Sequence, residues 1–215
     1  MLFKSLLALS CFVVLTGSIS PSATGHDAAN YPSVKIGKQE WMSENLNVRH
    51  FRNGDPIPFA SNSDEWIEKN DGPVCAYYEY KTENGKKYGL LYNWHAVNDP
   101  RGLAPAGWHI PSTSEWEKLI KKAGGKEKAG NHLKSKTGWN RSSNVTNETG
   151  FSALPGGWCE GHSPFREIGE KAYWWTSTPT SRTNGGYVRL TMYDGSVFFY
   201  SHEATAGKSV RCVKD

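Results

Sequence analysis

The sequence has 215 residues, enough for one sizeable domain or at most two small ones, and one is the expectation. A formal charge of +4 with the two signs interspersed forms no basic stripe, which argues against nucleic acid as a partner. Nine Trp, ten Tyr and 22 Gly against only 37% hydrophobic residues describe a core of a few large aromatics separated by many tight turns.

At the N-terminus, Lys4 supplies a minimal positive start, Leu6 to Leu15 an apolar stretch and Thr16 to Ala23 the small residues that precede cleavage. Residues 1–23 therefore read as a signal peptide. The stretch is too short to anchor a protein in a membrane. The mature chain is thus expected to be exported, in the periplasm, at the cell surface or secreted, with no transmembrane segment. Lipid attachment at Cys11 is the weaker alternative, because Leu9 stands where a small residue is usual and apolar residues continue beyond the cysteine. Residues 24–32 read as a linker, and residues 33–215 as the domain. Three cysteines remain in the mature chain, Cys75, Cys159 and Cys212. In an oxidising compartment an odd number suggests one bridge and one leftover thiol, with three pairings open.

The stretch "SVKIGKQEWM" alternates as one strand with Val34, Ile36 and Trp41 inward. "FRNGDPIP" carries two turn signals. Residues 74–80, "VCAYYEY", read as the next strand, "ENGKKYG" as the turn after it, and "LLYNWHAV" as a short helix. The clearest local signal is "PSTSEWEKLIKKAGG": Ser112 and Glu115 have capping-box spacing, and Trp116, Leu119 and Ile120 share a face. It predicts an amphipathic helix over about residues 113–123, with Lys118, Lys121 and Lys122 facing water. From residue 139 on, the chain reads as strand and turn. Asp194-Gly195 lies between two alternating runs, a strong hairpin signal, and "SVRCVKD" reads as a closing strand.

Several co-linear stretches resemble the Fibrobacter succinogenes major paralogous domain family: "VKIGKQEWMSENLNV", "YGLLYNWHAVNDPRGLAPAGWHIPSTSEWEKL", "TNETGFSALPGG", "YWWTSTPT" and "SVRCVKD". The resemblance implies an α+β fold of C-type-lectin-like form, with small twisted antiparallel sheets, one or two short helices and long loops, distantly similar in shape to formylglycine-generating enzymes. It further implies an exported or surface protein of Bacteroidetes-like or Fibrobacter-like bacteria, with no established chemistry. By the same resemblance Cys75 and Cys212 form a disulfide, worth at most about 5 kcal/mol in the chain-entropy account. Cys159 departs from the family pattern, as does Ala104, where many relatives carry a cysteine. Cys159 is then the odd thiol or a rival partner.

Two stretches are candidate ligand sites. In "YWWTSTPT" a strand sends Tyr173 and Trp175 one way and Trp174 the other, and the resemblance implies that one Trp lies in the core while the other abuts the loop surface that lectin-like folds use for ligands. In the hairpin, Tyr187, Arg189, Thr191 and Tyr193 share one face, with Phe198, Tyr200 and His202 alternating on the second strand. Aromatic rings stack on sugar faces and Arg or Thr bonds sugar hydroxyls. The candidate ligand-binding residues are therefore Trp174, Trp175, Tyr187, Arg189, Tyr193 and Tyr200.

Asn144, Asn147 and Glu148 gather oxygens of the kind calcium takes, but without the acidic density of a calcium loop. A hydrogen-bonded turn is the preferred reading, and no cofactor is expected. No G-x-S-x-G and no metal-binding histidine spacing occurs, residues 173–211 hold no cysteine pair, and Glu160 beside Cys159 disfavours a thiolate. No catalytic residue is assigned. The sequence reads as a monomeric, exported binding module for a glycan or, second, a protein. A structural or adhesin-type component of a surface assembly is the alternative, and an enzyme the least supported.

Overall fold

A glycine divides the first segment into two strands. β1 (Ser33–Ile36) and β2 (Gln39–Met42) pair antiparallel, and the chain reverses at Gly37, whose left-handed φ of 64° suits a residue without a Cβ. Ile36 and Trp41 are buried as expected. The computed structural model describes residues 31–141, 144–162 and 164–215; the expected signal peptide, Cys11 and nearly all of the linker lie outside them.

The middle of the chain is more helical than its sequence suggested. α1 (Ser63–Lys69) starts where the Asn62 side chain accepts the Glu65 N–H, and it anchors through the buried Trp66. The expected strand at 74–80 shortens to β3 (Cys75–Ala76), followed by a 3-10 turn at Tyr78–Tyr80. α2 (Thr82–Tyr88) replaces the expected turn. Its Asn84-Gly85 pair serves packing instead, because a Cβ on Gly85 would lie 2.1 Å from the Tyr77 ring. β4 (Leu91–Tyr92) and α3 (Trp94–Val97) share the segment read as one helix, the boundary being set by Asn93, which accepts the Ala96 N–H.

After β5 (Trp108–His109), α4 (Thr113–Lys122) forms as predicted, complete with a reciprocal capping box between Ser112 and Glu115. α5 (Ala129–Leu133) precedes the strand-rich half: β6 (Gly156–Cys159), β7 (Phe165–Ile168), β8 (Lys171–Pro179), β9 (Asn184–Thr191), β10 (Val197–Glu203) and β11 (Val213–Lys214). β9 and β10 form the hairpin expected around Asp194-Gly195. The strands make a four-stranded sheet ordered β1-β2-β11-β5, a five-stranded sheet ordered β10-β9-β8-β6-β7, and the β3-β4 pair. β6 and β8 run parallel, so the larger sheet is mixed. This is the expected α+β architecture, compatible with a C-type-lectin-like form. Among the described residues no helix is long and apolar enough to cross a membrane.

β8 and β9 form the spine of the molecule because both of their faces contribute side chains to a core. On one side Trp174, Val188 and Leu190 pack with Trp116 and Leu119 of α4, Trp41 and Phe151. Ring centroids in this aromatic cluster lie 4.9–6.0 Å apart. On the other side Tyr173, Trp175 and Tyr187 join a core with Tyr92, Trp94, Leu90 and Val210. That second side is where the covering layer is incomplete.

Candidate functional site

Period-two alternation divides the aromatic run between the two sheet faces. Across the β8–β9 ladder Tyr173 stands opposite Arg189 and Trp175 opposite Tyr187; across β9–β10 Tyr187 stands opposite Tyr200 and Arg189 opposite Phe198. One face therefore collects five rings around one guanidinium. A cleft of about 240 Å³ opens there, its wall completed by Trp158 of β6, Glu167 of β7 and Lys208 from the segment before β11.

Lys208 is the most unusual group in this cleft. Its backbone is pinned by reciprocal hydrogen bonds with Tyr92 of 2.9 and 3.0 Å, which fixes where the side chain starts. The residue is 1% exposed. Its Nζ lies 4.2 Å from the Trp175 ring centroid, 4.7 Å from Tyr187 and 4.9 Å from Trp158. Among the described residues it has no hydrogen-bond partner. Burial pushes its pKa well below the ordinary lysine value.

The donors around it are also underused. Arg189 lies 4.6 and 4.9 Å from the Tyr200 and Phe198 ring centroids and donates from Nη2 to the Tyr200 hydroxyl at 3.1 Å, yet its buried Nε has no partner among the described residues. His202 sits edge-on to Trp158 at 5.0 Å, and among the described residues its buried Nδ1 has no hydrogen-bond partner. Burial, then the neighbouring Lys208, lowers the His202 pKa. Glu167 is the acidic group of the cleft and is already engaged, accepting from Lys171, from the Tyr173 hydroxyl and from Trp158 Nε1 at 3.0 Å. Burial works against its charge, but these hydrogen bonds outweigh it and hold the carboxyl below its ordinary value. Glu167 also takes a left-handed φ of 64°, strain that the surrounding bonds sustain. The cleft thus offers unfilled N–H donors beside flat apolar rings, a combination that suits a ligand with a planar face and many acceptor oxygens.

A family model described as the Fibrobacter succinogenes major domain matches residues 34–214. The chain belongs to this family. No curated protein and no solved structure matches it.

Within this major domain, four of the six residues expected to bind ligand meet at the cleft face. Tyr187 and Arg189 line it, Tyr200 stands beside them on the same sheet face, opposite Tyr187, and Trp175 is fully buried behind it, its Nε1 donating to the Tyr92 carbonyl at 2.8 Å. Trp174 lies elsewhere: it faces α4, and its Nε1 donates to Asn45 Oδ1 at 2.8 Å. Tyr193 is exposed on the hairpin loop, past the end of β9 and away from the cleft lining. Sequence reading missed Lys208, Trp158, Tyr173 and Glu167. Of these, Tyr173 was accessible, since it shares the parity of Trp175; the others arrive through loops and pairings that no local pattern encodes.

The expected Cys75–Cys212 bridge is absent, and Cys75, Cys159 and Cys212 are free, buried thiols. Cys75 and Cys212 belong to one core together with Tyr92, while Cys159 packs in a third cluster with Trp66 and Tyr78. The oxygen-rich loop is a hydrogen-bonded turn: Asn147 exchanges bonds with Ser152, and Glu148 pairs with His132 at 3.0 Å. Among the described residues no group of three His, Cys, Asp or Glu is placed to hold a metal ion.

A second groove of about 330 Å³ runs past Ser43, Asn45, Lys86 and Lys87. Asn45 at its base is fully used, donating to the Tyr88 carbonyl and accepting from Trp174 and Arg211. This groove has polar walls but no unfilled buried donor among the described residues.

Proposed function

We propose that this major domain is an exported, non-catalytic binding module that takes an extracellular ligand, in first place a glycan, into the cleft on the β8–β9–β10 face. The observation that carries this reading is Lys208 Nζ, buried among three rings without a hydrogen-bond partner among the described residues. A buried, unsatisfied donor costs about 1–3 kcal/mol, and more when charged, which a fold tolerates where a ligand supplies the missing acceptor. Exposed Tyr200 and the partly exposed Arg189 offer the approaching surface. The non-catalytic reading is supported by the state of the thiols: burial pushes Cys159 up to about 12 and leaves it without thiolate character.

One observation favours protein as the second ligand class. β10 is the outer strand of the five-stranded sheet and runs for seven residues; beyond Val197, whose N–H donates to the Lys126 carbonyl, its outer side has no strand partner among the described residues and offers a backbone edge to an added strand.

A broad glycan array, probed with the protein with and without calcium, tests the reading. Selective binding that falls on Tyr187→Ala, Arg189→Ala or Tyr200→Ala is the expected outcome. A blank array from folded protein moves the assignment to the β10 edge and protein recognition.

A further inference from the structure

We propose that the ligand of this cleft is an acidic saccharide, whose carboxylate or sulfate is taken by Lys208, Arg189 and His202 while its ring lies against Tyr200 and Tyr187. The proposal rests on the binding-module reading and deepens it.

Charge accounting leads there. The cleft is lined by Lys171, Arg189 and Lys208 against Glu167, and Lys171 and Glu167 form an ion pair. Arg189 and Lys208 remain, neither paired with a carboxylate among the described residues, and each presents a buried nitrogen without a partner. A neutral sugar hydroxyl would satisfy the hydrogen bond but leave the buried positive charge uncompensated, whereas an anion answers both.

Shape supports the saccharide half of the proposal. Tyr187 and Tyr200 are inclined at 32° with centroids 5.7 Å apart, and Phe198 stacks on Tyr200 at 6.1 Å, so the rim is a nearly continuous aromatic surface. The cleft volume of about 240 Å³ is smaller than the roughly 300–1,000 Å³ of drug-sized sites, a scale that fits one sugar unit of a chain. An extended acidic peptide would place its carboxylates without a flat face to cover these rings.

Titration calorimetry with trigalacturonate, a sulfated galacto-oligosaccharide, trigalacturonate methyl ester and a tetraglutamate peptide separates the terms. Binding of either acidic sugar is expected, with the methyl ester weaker by about tenfold or more, the scale of a charged hydrogen bond. Arg189→Gln and Lys208→Met should each weaken the acidic sugar by a similar factor, with unfolding curves confirming that both variants are folded. Equal binding of the ester and the acid, lost in Tyr200→Ala, would overturn the anionic claim and leave the binding module standing. Binding of tetraglutamate alone would overturn the saccharide claim. No binding of any probe, together with a blank glycan array, would overturn the acidic-saccharide proposal and the glycan reading with it, leaving protein recognition at the β10 edge.

Discussion

An ammonium enclosed by three rings gains cation–π attraction of about 2 kcal/mol or more once desolvated, but loses hydration worth several kcal/mol. At Lys208 no group among the described residues makes up the difference through a hydrogen bond. Lys208→Met fills the same space with a polarizable apolar chain, and it is expected to raise stability at neutral pH by about 1–3 kcal/mol while weakening acidic-ligand binding by about tenfold or more. Burial lowers the folded-state pKa of Lys208, so the wild-type penalty is present below the ordinary lysine value. It disappears only as pH rises to about 10.4, and the gap between variant and wild type should close there. Urea unfolding at several pH values reads this directly; a variant less stable than wild type at pH about 7 would show that the lysine is structural. At this scale the sequence was half legible. Tyr187, Arg189 and Tyr200 follow from strand parity, whereas Lys208 looks like any surface lysine in "AGKSV" until the Tyr92 pairing places it inside.

Among the elements, β5, α4 and the chain terminus are joined through one imidazole. His109 contacts Glu115 at 2.8 Å through Nε2 and Asp215 at 2.8 Å through Nδ1. Burial opposes the charged ring, but the two carboxylates outweigh it and raise the pKa above its ordinary value. A raised folded-state pKa gives a contribution that is full below about pH 6.5 and lost as pH rises through the folded value. Thermal melts across about pH 5 to 9 should therefore show a loss of stability that His109→Gln flattens; an unchanged profile in the variant would remove His109 from the account. α4 was fully readable because its cap, its apolar face and its glycine stop agree with one another. α2 was not, since Asn84-Gly85 carries turn chemistry while close packing against Tyr77 decides the outcome. The β1–β2 reversal at Gly37 was hidden for the opposite reason: alternation continues across the turn and imitates a single strand.

Across the whole molecule, the mixed sheet separates a closed side from an open one. Trp41, Trp116, Phe151 and Trp174 seal the side under α4, and the opposite side ends in the basic, aromatic cleft. The α+β architecture and the family were visible in five co-linear motifs, while the disulfide implied by the same resemblance was not realised, because Cys75 and Cys212 are taken up as apolar core residues. The central claim is that ligand enters on the open side and that its charge is met by Lys208 and Arg189. The most direct test is a backbone amide NMR map of the protein titrated with trigalacturonate. The account predicts shifts concentrated at Trp158, Arg189, Tyr200, His202 and Lys208. Shifts confined to the Asn45–Lys87 groove or to the Tyr193 loop would contradict it.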